Sequence, residues 1–284
     1  MKKNSSDEAP LKQPVTTKKI VFRWLKIFIL LYSIIGIAFY YLQETFLFHP
    51  KALAYSYTFK FKDSFQERNI EINKDVTLNM IQFYPSAISR KGMVLYFHGN
   101  MENINHYASA AENFLKNGYE VLMPDYPTFG KSTGSLTEKN LYSIANIAYK
   151  FACAKYHTDS IIIYGRSIGT GIAAQLASRV NCKRLILETP YTSISDLFSR
   201  YLPIYPMNAL SHYKLNTSEY LRDVTAPICI FHGTDDHVIP YSNSVELKNS
   251  LKPIDQFITI EKGTHNNLGS FPQFHIILDS LLRL

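Results

Sequence analysis

The sequence predicts an α/β domain on a mostly parallel sheet with helices on both faces. Three observations carry this. Short continuous apolar runs recur along the chain, amphipathic stretches of helix length separate them, and one long charge-free segment near the N-terminus stands outside the alternation. At 284 residues, 46% hydrophobic and 19% charged, the chain is too apolar for disorder and long enough for one sizeable core.

Residues 1–19 read as a basic tail. Across residues 1–26 seven basic side chains (Lys2, Lys3, Lys12, Lys18, Lys19, Arg23, Lys26) stand against Asp7 and Glu8, which is +5 of the net +7. The remainder is close to neutral, so the electrostatic footprint of a nucleic-acid binder is missing and no nucleic-acid partner is expected. Residues 27–42 (IFILLYSIIGIAFYYL) contain no charge, and Trp24 and Leu25 extend the run if Lys26 snorkels. At ~1.5 Å per residue the stretch just crosses a hydrocarbon core of ~30 Å, so residues 20–42 are expected to be a transmembrane anchor. A cleaved signal peptide is the alternative, but the run ends in bulky FYYLQETF rather than a small-residue cleavage site. The basic flank puts the N-terminus in the cytoplasm and the following domain on the non-cytoplasmic side of a single-pass protein.

Residues 43–65 read as a connector and 66–284 as the folded domain. Residues 68–72 and 76–84 alternate apolar and polar side chains, and Pro85 stops the second run, which predicts a hairpin. Buried strands are expected at 93–97, 119–123, 160–164, 184–188, 228–231 and 257–260. Helices are expected at 103–117, 137–156, 167–179, 241–251 and 271–284. Residues 189–226, with prolines at 190, 203 and 206 and many aromatics, exceed an ordinary crossover and read as a small cap over the sheet's C-terminal edge. Cys153, Cys182 and Cys229 are widely spaced and form neither a disulfide framework nor a metal-ligand pattern.

Gly165-Arg166-Ser167-Ile168-Gly169 follows one predicted strand directly and opens a helix. A serine in so sharp a turn needs glycine two residues to either side, because a Cβ there would strike neighbouring backbone. The turn then holds the hydroxyl above the sheet at a helix N-terminus. A serine hydroxyl is a weak nucleophile near neutrality and needs a base, and the base needs a group that holds its tautomer. Of nine histidines only His265 lies in a turn after the last strand and before the last helix. His98 and His232 end strands and read as buried residues completing hydrogen bonds. For the orienting acid, Asp235 and Asp236 follow strand 228–231 at the same sheet edge, and spacing alone does not choose between them; Glu188 is a third candidate. The chain order Ser, Asp, His is that of the α/β-hydrolases.

The set FHGN (97–100), PDYPTFGKSTG (124–134), GRSIGTG (165–171), HGTDDHVIP (232–240) and GTHNN (263–267) resembles the α/β-hydrolase superfamily over residues 66–283. It is most similar to the membrane-tethered branch that includes protein depalmitoylases and serine-aminopeptidase-like hydrolases. Gln43 and FLFHP at 46–50 match that branch's usual junction. The resemblance implies an α/β-hydrolase fold and assigns the acid to Asp236. It places oxyanion donors at the backbone N–H groups of Ile168 and Asn100, and it calls for no metal or cofactor. Pro127 and Thr128 occupy places where an Arg-Gly pair is common, a departure in the shape of that loop.

The implied chemistry is acyl transfer by Ser167, His265 and Asp236 on small-molecule or lipid-like substrates, esters or thioesters first. A peptidase or amidase, or a non-catalytic binding protein of the same fold, are the alternatives. Arg166 reads either as a brace of the turn or as a contact for anionic substrates. Tyr191, Phe198, Tyr201, Ile204, Tyr205 and Met207 read either as an acyl groove or as the cap's own core. Oligomeric state is not encoded legibly.

Overall fold

The computed structural model describes residues 17–86 and 90–283; the basic tail up to residue 16 lies outside the described residues. The chain forms two units, one ending at Leu42 and one spanning Gln43–Leu284. In the first, helix α1 (Thr17–Leu47) begins; it is long and apolar enough to cross a membrane, and none of its most apolar window is buried.

In the second unit eight strands make one sheet: β1 (Phe65–Asn73), β2 (Val76–Phe83), β3 (Gly92–Phe97), β4 (Tyr119–Pro124), β5 (Ile161–Arg166), β6 (Arg184–Glu188), β7 (Ile228–Gly233) and β8 (Gln256–Ile260). Their order is β8-β7-β6-β5-β3-β4-β2-β1. All neighbours from β4 to β8 are parallel, and only β2 runs against β1 and β4. Continuous apolar runs suit the central strands because both faces are covered. In β3, Met93, Leu95 and Phe97 join one core, while Val94 and Tyr96 join the other. The first core receives helix α2 (Glu138–Cys153) through Leu141, Ile144 and Ala148, and helix α3 (Gly169–Ala177), whose nine residues, Gln175 among them, are all buried. The second receives Phe114 and helix α6 (Pro272–Arg283) through Phe274 and Leu278. α2 starts where Thr137 accepts a hydrogen bond from the Asn140 N–H, with Glu138 in the first turn and Lys150 in the last, which matches the helix dipole.

Four boundaries differ from expectation. The helix expected over 103–117 is two short α-turns, Ile104–Tyr107 and Glu112–Leu115, joined by a 3-10 turn at Ala108–Ala111, where small side chains tolerate eclipsing at i and i+3. The helix expected over 241–251 likewise becomes 3-10 after Val245. Residues 43–65 are not wholly a connector: Gln43–Leu47 continue α1, since QETFL holds no helix breaker, and Phe65 already belongs to β1. Within 189–226, α4 (Ile194–Tyr201) and the turn Met207–Leu210 form the cap, whereas α5 (Thr217–Asp223) is an ordinary crossover helix packed on α3.

The departure at Pro127-Thr128 has a local cost. Thr128 takes φ of +72°, the left-handed region that suits a glycine, so a β-branched residue sits there under strain.

Candidate active site

The turn between β5 and α3 carries Ser167 at φ +52°. Its N–H donates to the Glu188 carbonyl at 2.9 Å, which ties the turn to β6, and its carbonyl accepts from the Thr170 N–H at 2.9 Å. A Cβ on Gly165 would lie 2.6 Å from the Gly169 carbonyl oxygen, and one on Gly169 would lie 2.2 Å from that of Phe97. Both contacts are impossible, so the turn exists only with glycine at these places.

Ser167, His265 and Asp236 come together. The Ser167 hydroxyl lies 2.9 Å from His265 Nε2, and His265 Nδ1 lies 2.8 Å from Asp236 Oδ2. With the ring proton on Nδ1, the imidazole donates to the carboxylate and accepts from the serine. Asp236 Oδ1 accepts the N–H groups of Val238 and Ile239 at 2.9 and 2.8 Å, so both carboxylate oxygens are engaged. Burial alone would raise the Asp236 pKa, but the His265 hydrogen bond and charge, with the Ile239 N–H, hold it below the ordinary carboxylate range. The adjacent Asp235 is exposed, its carboxylate accepts from the Thr234 hydroxyl at 3.1 Å, and the structure does not bring it to His265. The acid and histidine loops approach closely because a Cβ on Gly233 would meet the Gly263 carbonyl oxygen at 2.1 Å.

Asn100 and Ile168 sit beside Ser167, lining the same apolar opening. Among the described residues neither backbone N–H donates to a protein acceptor. His98 is fully buried beneath the Asn100 loop, with Nδ1 2.7 Å from the Gly99 carbonyl and Nε2 3.3 Å from Asp125. Burial raises the Asp125 pKa. His232 is equally buried, its Nε2 is 2.9 Å from the Ile239 carbonyl, and burial lowers its pKa. Glu188 does not reach His265. It accepts from the Tyr164 hydroxyl and pairs with Arg166 at 3.4 Å, while the Arg166 guanidinium also donates to Asn266 at 3.3 Å. Arg166 therefore braces the turn and the histidine loop.

Two openings meet at Ser167. A small apolar one of about 140 Å³ is lined by Tyr191, Ile194, Leu197, Phe198 and Tyr201 from the cap side, by Val238 and Ile239, and by Phe46 and Leu47. A wider one of about 640 Å³ is lined by Arg166, His106, Tyr107, Asn266 and His265. The aromatic cap residues thus divide: Tyr191, Phe198 and Tyr201 line the opening, Tyr205 and Met207 are buried in the cap, and Ile204 is exposed. The sequence reading missed Phe46, Leu47, Leu197, Val238 and Tyr107. The FLF run at 46–48 was the available signal for the first two. Among the described residues no cluster of three His, Cys, Asp or Glu side chains could hold a metal ion.

A family model described as the alpha/beta hydrolase fold matches residues 92–210. The alpha/beta hydrolase domain-containing protein 17C of Mus musculus is 28% identical over 196 residues, covering 68% of this chain and 60% of that protein. Protein 17B of Homo sapiens is 28% identical over 197 residues, covering 68% and 66%. The chain thus spans about three fifths of the length of the curated relatives it matches. Among solved structures, an esterase of Pyrococcus furiosus superposes with a TM-score of 0.64 at 18% identity, covering 84% of this chain and 97% of that one. The ferulic-acid-bound Est1E of Butyrivibrio proteoclasticus gives 0.59 at 18% identity, covering 76% and 96%. The chain resembles the α/β-hydrolase superfamily over the matched residues and has the α/β-hydrolase fold.

Proposed function

We propose that the protein is a membrane-anchored serine hydrolase that cleaves carboxylic esters or thioesters of apolar acyl groups through an acyl-enzyme. The observation that carries this reading is the relay from Ser167 through His265 to Asp236, at 2.9 and 2.8 Å. Ser167 Oγ attacks the carbonyl carbon as His265 Nε2 takes its proton. Asp236 holds the tautomer and stabilises the imidazolium. The N–H groups of Ile168 and Asn100 receive the tetrahedral oxyanion, each donor contributing roughly 3 kcal/mol in a dry site. His265 protonates the leaving alkoxide or thiolate, then activates the water that releases the acid.

The acyl group belongs in the apolar opening. Its volume of about 140 Å³ is close to the ~150 Å³ cavity that holds a benzene ring, room for a group of about six carbons. The preferred acyl chain is thus of medium length, with kcat/KM rising from acetyl to octanoyl as the opening and its rim at Phe46 are filled, and flattening beyond. Segment 20–42 is the anchor, with the basic tail cytoplasmic and the hydrolase domain on the other side. Carbonate-washed membranes should retain the full chain, and protease outside spheroplasts should digest the domain.

A fluorophosphonate probe is expected to label the wild type. Ser167→Ala should abolish both labelling and ester turnover, and labelling that persists elsewhere would overturn the assignment. Faster turnover of aminoacyl anilides than of any ester would replace the esterase reading with a peptidase.

A further inference from the structure

We propose that segment 43–50, which follows directly on the apolar span, is part of the active site: Phe46 selects acyl chain length, and the Leu47–Asn100 contact positions an oxyanion donor. The inference rests on the serine-hydrolase reading above.

Three contacts fasten the segment to the machinery. Gln43 is 1% exposed; its amide donates to the Leu210 carbonyl at 3.2 Å and its Oε1 accepts from the His212 N–H at 2.7 Å, so the last turn of α1 is locked to the cap. The Asn100 side-chain amide donates to the Leu47 carbonyl at 3.0 Å. The Asn100 carbonyl in turn accepts from the His49 N–H at 2.9 Å. Beyond it, His49–Pro50 pair in parallel with Met101–Glu102.

The consequence for Asn100 is specific. Its side chain and its carbonyl are both held by residues 47–49, and the Gly99 carbonyl, in the same peptide as its N–H, lies 2.7 Å from His98 Nδ1, so the N–H beside Ser167 is held from both sides. An oxyanion donor is effective only when held in place before the charge develops. Asn100 is therefore positioned by a segment more than fifty residues earlier in the chain, which accounts for the FLFHP motif in a stretch otherwise read as a connector.

Phe46 plays a different part. It lines the apolar opening yet is 60% exposed, so its ring stands at the mouth rather than in a core. The opening of about 140 Å³ takes a group of about six carbons, so the distal carbons of an octanoyl chain run over this ring.

The test uses detergent-solubilised full-length protein and p-nitrophenyl acetate and octanoate, which share a leaving group. Phe46→Ala should lower the octanoyl-to-acetyl ratio of kcat/KM about tenfold, and Phe46→Leu should restore most of it, as expected for lost apolar contact. Asn100→Ala should lower kcat on both esters alike, by about tenfold, with KM unchanged. A ratio within about twofold of wild type in Phe46→Ala, or an Asn100→Ala effect confined to KM, would overturn the respective part while leaving the hydrolase reading intact. A wild type that turns over neither ester would overturn the hydrolase reading and this inference with it.

Discussion

On one side of Ser167 the side chains are held by hydrogen bonds and opposite charge: His265 on Asp236, His232 on the Ile239 carbonyl, Arg166 between Glu188 and Asn266. On the other side Leu197 and Phe198 are half-buried, while Phe46 and Tyr201 are exposed at the rim, Tyr201 donating to the Val238 carbonyl at 3.4 Å. The polar side grows from the ends of β5, β6, β7 and β8, whose register the whole sheet enforces. The apolar side comes from the cap and from the end of α1, outside the sheet. The contrast predicts that the polar side tolerates almost no change, whereas the apolar side can be retuned one methylene at a time.

The largest expected effect tests the polar side. Asp236→Asn should lower kcat by about 10⁴, because the histidine tautomer is no longer fixed, while Asp235→Asn stays within a few-fold. Steady-state kinetics with one ester decides it, and the reverse ranking would break the comparison. Next comes the brace. Arg166→Met leaves the buried Glu188 carboxylate without its cation, at an expected cost of about 3 kcal/mol in urea unfolding. The double variant with Glu188→Gln should recover much of it.

A smaller effect tests the apolar side. Leu197→Ala should lower kcat/KM on octanoyl esters about three- to tenfold and on acetyl esters much less. An equal loss on both would show that packing there also positions the catalytic groups.

Acid sensitivity sharpens the comparison last. His232 is held neutral by burial, with its pKa lowered. The unfolded chain therefore binds more protons below the ordinary histidine value of about 6.5. Its contribution to stability is present above that pH and is lost as pH falls toward the folded value. Asp236, whose pKa is also lowered, gives up its share only below the ordinary aspartate value of about 3.9. Urea midpoints between pH 7 and 5 should fall for the wild type and fall less for His232→Asn.

What the sequence disclosed follows the same division. Strands β5 to β7 were legible to within two residues, because apolar runs buried on both faces end abruptly at Gly165, Glu188 and Gly233. The relay residues were legible because each sits in a turn at a strand end, where backbone sterics demand glycine nearby. Asp236 needed the family pattern, since two adjacent carboxylates have the same spacing to the eye; in the fold, burial, the His265 contact and the N–H groups of Val238 and Ile239 distinguish them. The apolar wall was not legible. Phe46 and Leu47 follow an apolar span without a change of period, and Val238 and Tyr107 reach the site through loop geometry that no local pattern records.

The serine and histidine that meet in the relay are 98 positions apart, and histidine and acid 29 apart. Leu47 and Asn100 close a further interval of 53. Each closure spends chain entropy before any contact repays it, and parallel pairings of this span form slowly. Helical signal is therefore expected early in refolding, when the 16-residue α2 can begin to form from local contacts. Ser167 and His265 meet only when the last strand and the histidine loop have docked, so on the proposed function probe labelling of Ser167 is expected to lag the helical signal in refolding.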